Sequence, residues 1–215
     1  MPINKKGFTL LELLIVIAII AILAVIVILV LNPAETLKKA RDERRMSDLN
    51  TIKSALSLYA HTTSSPLFGV CKTGTGWIVG NKIYYSAASD TLAITSIGLD
   101  GGISGSPSAG QVSLANLGNT NGAGWIPVNL DSLSGGSPIA NFPIDPVNTI
   151  VNAAAPANTD LVYRYACKGN DFEIDARLES DAYTSVDNKM ANDGGDNNNL
   201  YEVGTNLKIL GSGAF

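Results

Sequence analysis

The sequence predicts an α+β chain in which a long N-terminal hydrophobic helix packs on a C-terminal antiparallel β-sheet head. Three observations carry that expectation. Every residue from 13 to 31 is apolar, the stretch 34–60 lacks glycine and proline and repeats its apolar residues at helical spacing, and the C-terminal half alternates apolar and polar residues at strand spacing.

The apolar run comes first. At about 1.5 Å of rise per residue, 13–31 extended back to Phe8 crosses a hydrocarbon core of about 30 Å. A secretory signal peptide is the rival reading, but its apolar region is shorter, about 7–15 residues, and ends in a small-residue cleavage site. Here the run leads into Asn32-Pro33-Ala34-Glu35, so the segment is expected to stay in the mature protein. Ala18, Ala21 and Ala24 place small side chains among Ile, Leu and Val. They permit close approach of helices in an apolar medium, although alanine is also simply a good helix former.

Asn32-Pro33 should interrupt the helix, because Pro33 lacks a donor and crowds the preceding turn. Helix then resumes. Met46, Leu49, Ile52, Leu56 and Tyr59 recur three or four residues apart, a stripe able to lie on a sheet. The charged residues between 38 and 45 read either as a solvated face or as contacts between subunits. If 8–60 is nearly continuous helix, it is about 80 Å long, more than a bilayer requires. Its first half must be buried in lipid or in other copies of itself.

In the head, 82–86, 161–167 and 172–178 read as strands. The last alternates Phe172, Ile174, Ala176 and Leu178 with Glu173, Asp175 and Arg177, and Lys168-Gly169-Asn170-Asp171 is a hairpin turn. The Gly-, Ser- and Asn-rich stretch 98–138 reads as long surface loops with minor strands. Cys71 and Cys167, the two cysteines, are too far apart in sequence for a zinc or redox motif. They are either one disulfide made outside the cytoplasm or two buried thiols. The oxygen-rich loop with Asp187, Asp193 and Asp196 offers ligands to calcium or is a plain Asx-rich turn.

Composition narrows the function. A net charge of −4 over 215 residues gives no basic face for nucleic acid, which stays open as a partner only through patches in an assembly. The single histidine, His61, falls at an expected helix end, and no Ser or Cys sits in a nucleophile elbow. No catalytic residue is therefore expected.

Glu12 is the odd residue of the apolar segment. A carboxylate at the centre of a membrane helix costs roughly 2.5–3.5 kcal/mol, less near the interface, so it either has a partner or snorkels among headgroups. Its surroundings read Lys5-Lys6-Gly7-Phe8-Thr9-Leu10-Leu11-Glu12 followed by the apolar run. This order closely resembles the processing signal of type IV prepilins and type II secretion pseudopilins. The resemblance implies a pilin-like fold, cleavage between Gly7 and Phe8 by a prepilin peptidase, N-methylation of Phe8, and an assembly role for Glu12. The physical logic is consistent. Gly7 presents backbone without a side chain, Lys5 and Lys6 hold the leader in the cytoplasm by their charge, and cleavage creates an ammonium on Phe8 that can meet a neighbour's Glu12. Two head segments, Gly124-Trp125-Ile126-Pro127-Val128-Asn129 and Pro143-Ile144-Asp145-Pro146-Val147-Asn148, resemble bacterial pilin-like heads more loosely.

The expected organisation is a leader over 1–7, a transmembrane and filament-core helix over 8–31, an amphipathic helix over 32–60, and the head over 61–215. The expected partners are membrane lipid before assembly, the prepilin peptidase, an inner-membrane assembly platform, and copies of the chain in a helical filament. The expected location is the cell membrane, single-pass with the head outside the cytoplasm, and then an extracellular pilus or an envelope pseudopilus. One feature opposes that orientation: Lys38, Lys39, Arg41, Arg44 and Arg45 make the basic bias larger after the membrane segment than before it. A single-pass anchor carrying a binding domain is the remaining rival, but an anchor needs neither Glu12 nor the Gly7-Phe8 junction.

Overall fold

The computed structural model describes residues 7–74, 76–95, 97, 107–154 and 156–211; Lys5 and Lys6 lie outside the described residues. The chain divides into a first unit ending at Lys38 and a second beginning at Lys39.

In the first unit, α1 (Leu10–Leu31) is apolar on every face, and its described side chains are all exposed. Such a helix belongs in lipid or among other apolar helices. Among the described residues one helical stretch, Leu10–Thr62, is long and apolar enough to cross a membrane. The ladder breaks where expected. Asn32 adopts the left-handed conformation at φ 37°, which asparagine tolerates better than most residues. Pro33 then opens α2 (Pro33–Thr62) at the first helical position, where its missing N–H is no loss.

In the second unit, α2 buries Leu49, Ile52, Ala55, Leu56 and Tyr59 against one face of a five-stranded sheet. Burying each of the large aliphatic side chains contributes about 1.5–3 kcal/mol. It is α2, the amphipathic helix, that packs on this sheet. The strands are β1 (Lys82–Tyr85), β2 (Ser108–Gly110), β3 (Tyr163–Lys168), β4 (Asp171–Ala176) and β5 (Tyr201–Gly204), in the order β2-β1-β3-β4-β5. The sheet is mostly antiparallel. β2 departs from the antiparallel expectation by running parallel to β1, since the connection between them is long enough for a crossover. The β3–β4 hairpin turns at Gly169, whose φ of +61° meets the demand of a two-residue loop at its first central position.

Both faces of the sheet are covered. Tyr163, Tyr165 and Cys167 of β3 and Phe172, Ile174 and Ala176 of β4 face α2, while Ile83, Tyr85, Val162 and Ala166 form a second core with Ile209 and Leu210 from the C-terminal segment. Glu173 and Asp175, the polar alternants of β4, are therefore buried, and Asp175 is paired with Arg164. The two loosely pilin-like segments meet in the first core. Trp125 is fully buried and donates its indole N–H to the Pro143 carbonyl at 3.0 Å.

Candidate functional site

The start of α1 is built as a reciprocal cap. Thr9 is extended (φ −81°, ψ 152°), and its hydroxyl oxygen accepts the Glu12 N–H at 3.2 Å. The Glu12 carboxylate folds back, and its Oε2 accepts both the Thr9 N–H and the Thr9 hydroxyl, each at 2.9 Å. Two orphan donors of the helix start are satisfied, and negative charge sits at the positive end of the helix dipole. Phe8 is 85% exposed, and Gly7 has open space on its Cβ side. A carboxylate bonded to Thr9 thus stands one turn inside an apolar rod.

The structure places a second polar cluster that sequence reading misses. In the charged run, Asp42 and Arg45 are fully buried, not part of a solvated or subunit-facing surface. Met46, expected in the apolar stripe, is only half-buried. Arg45 donates from Nε to Asp145 Oδ2 at 2.6 Å, from Nη2 to Asp145 Oδ1 at 3.0 Å, and from Nη1 to Asp42 at 2.8 Å and Glu179 at 2.6 Å. Arg41 adds two bonds to Glu179, and Asp42 accepts the backbone N–H groups of Glu179 and Ser180. Burial alone would lower the Arg45 pKa, but the bonds and charge of Asp145, with Glu179 and Asp42, outweigh it and raise it. The Arg41 and Arg45 bonds likewise overcome burial and hold Glu179 below the usual carboxylate range. The arrangement fastens α2 to the head. Its only sequence signal was the 3.6-residue phase that puts Asp42 and Arg45 on the stripe of Leu49, Ile52 and Leu56.

The calcium candidates do not converge. Asp187 pairs with Lys189 at 2.7 Å, and Asp193 accepts the N–H groups of Gly195 and Glu202, as in an Asx-type turn. Among the described residues no group of three or more His, Cys, Asp or Glu is arranged to hold a metal ion. Asp196 Oδ1 is buried without a donor, as are Glu173 Oε1 on β4 and Glu202 Oε1 on β5. Glu173 and Glu202 are close enough for each to influence the other's titration, and burial raises the pKa of both. Burial first, and the neighbouring Glu173 second, push Glu202 up to about 10.

Cys71 and Cys167 are bonded, with Cα atoms 4.6 Å apart, and the Lys72 N–H donates to the Cys167 carbonyl beside them. His61 is exposed near the end of α2, with Nδ1 2.7 Å from the Ser57 carbonyl oxygen.

No curated protein and no solved structure matches the chain. Residues 3–28 match the family model for the prokaryotic N-terminal methylation motif, so the chain opens with the signature of type IV pilins and pseudopilins.

Proposed function

We propose that the chain is a structural subunit of a type IV pilus-like filament, made as a membrane-anchored precursor, cut between Gly7 and Phe8, and polymerised through its N-terminal helix. The observation that carries this reading is the methylation motif at 3–28, whose apolar part lies on α1, a helix that opens with the capping carboxylate of Glu12. An apolar helix of this length is soluble only in lipid or among its own kind, which gives the two states of the subunit, anchored and assembled. The role is structural, and no residue is assigned to catalysis. Partners in this reading are the prepilin peptidase, an inner-membrane assembly platform and further copies of the chain. The head lies outside the cytoplasm, in the compartment where the Cys71–Cys167 bond persists.

Mass spectrometry of assembled protein from the native cell tests the reading. The expected N-terminal peptide begins at Phe8 and carries one methyl group on its amine. Assembled protein that keeps Met1 and the leader would overturn it.

A further inference from the structure

Glu12 offers its two carboxylate oxygens unequally. Oε2 is taken by Thr9, which donates to it from both its N–H and its hydroxyl, while the same hydroxyl oxygen receives the Glu12 N–H. The Thr9 side chain therefore does two separable things. As an acceptor it caps the helix, and as a donor it fixes the rotamer of Glu12.

We propose that Thr9 is a positioning residue for subunit docking: its hydroxyl pins Glu12 Oε2 back toward the helix start and leaves Oε1 turned outward for the cationic amine of a neighbouring subunit. The proposal rests on the reading of the chain as a filament subunit. A glutamate side chain has three rotatable bonds, and in an apolar bundle an ion pair forms only if both charges arrive in register. A carboxylate already held by two donors loses little freedom on docking, and the one oxygen left open gives the incoming amine a single direction of approach. The pinned oxygen also gains from the arrangement, because the hydroxyl donor partly satisfies a carboxylate that the apolar surroundings of a bundle would otherwise strip of water. Leu10 and Leu11, the residues between the pair, offer no hydrogen-bonding side chain, so no near neighbour replaces the hydroxyl.

Three variants in the native cell separate capping from positioning. Glycine is nearly as good an N-cap as threonine, so T9G preserves α1 but removes the hydroxyl donor, whereas T9S retains both roles. E12Q tests the underlying reading. Each strain is scored for processed subunit by immunoblot and for filaments by electron microscopy. Processed T9G subunit is expected at the wild-type level with filaments reduced about tenfold or more, the factor carried by one lost hydrogen bond to a charged group; T9S should restore them. Wild-type filaments from T9G, with E12Q filaments lost, would overturn the positioning role and leave the filament reading standing. Regular filaments from both T9G and E12Q would overturn the reading as well. Accumulation of uncleaved T9G precursor would also refute the proposal, by assigning the hydroxyl to recognition by the peptidase.

Discussion

Arg45 of α2 grips Asp145, a hundred residues further along the chain, through two parallel bonds of 2.6 and 3.0 Å. Both side chains are fully buried. A forked pair of this kind fixes orientation as well as distance, because the planar guanidinium meets the planar carboxylate edge to edge.

Replacing Arg45 should expose how much of the head depends on it. Arg45→Met keeps the length of the side chain but leaves Asp42, Asp145 and part of Glu179 buried without their cation. Removing one partner of a buried pair costs about 3–5 kcal/mol, whereas removing both is far milder. Thermal unfolding of the full-length protein in mild detergent should therefore show a large loss for Arg45→Met, with part of it recovered in Arg45→Met/Asp145→Asn. A single variant as stable as the wild type would show that the network adds nothing to the fold.

The disulfide should matter in the same range. Cys71 and Cys167 close a loop with a sequence separation of 96, and a cross-link over such a loop stabilises by roughly 3–5 kcal/mol through the unfolded chain. For a unit of this size that corresponds to a fall of about 10 °C in Tm on reduction, with about 2–4 °C for each kcal/mol. Alkylation of unfolded, unreduced protein followed by mass spectrometry should find neither cysteine labelled. Labelling of both would return them to the status of buried thiols.

Much of the scaffold is legible in the residues themselves, and the limits are physical. Leu49, Ile52, Leu56 and Tyr59 announce a helical face, and Phe172 to Leu178 announce a strand, because periodicity is a local property. The alternation of β4 says which residues share a face, but not that both faces are covered. Glu173 is buried where Ile209 and Leu210 return to donate their N–H groups to it, and nothing local to β4 encodes that return. Arg45 was hidden for the same reason, since five neighbouring charges look solvated until Asp145 and Glu179 arrive from distant segments. At the N terminus the reverse holds. Thr9 and Glu12 are three residues apart, and their mutual cap is readable as a capping box.

Glu173 and Glu202 should hold a proton between them in the folded protein. Both side chains are almost fully buried, and Glu173 Oε2 accepts the Ile209 and Leu210 N–H groups at 2.6 and 2.9 Å, so the pair joins β4, β5 and the C-terminal segment. Burial raises the Glu173 pKa, the nearby Asp196 charge adds to it, and Glu202 is pushed up to about 10. The folded protein thus keeps a proton that the unfolded chain, titrating at the ordinary 4.5, releases. Stability should therefore be greatest at low pH as far as this pair is concerned, and should decline as pH rises toward about 10. Between about pH 6 and pH 9 the ordinary carboxylates have already ionised and cannot produce that slope. Glu202→Gln supplies a permanent donor to Glu173 and an acceptor for the Asn197 N–H that Glu202 Oε2 now receives at 3.0 Å. The variant should melt higher than the wild type at pH 9, with a flatter profile from pH 6 upward, and should differ little near pH 4. An equal slope in both proteins would mean that no proton is shared.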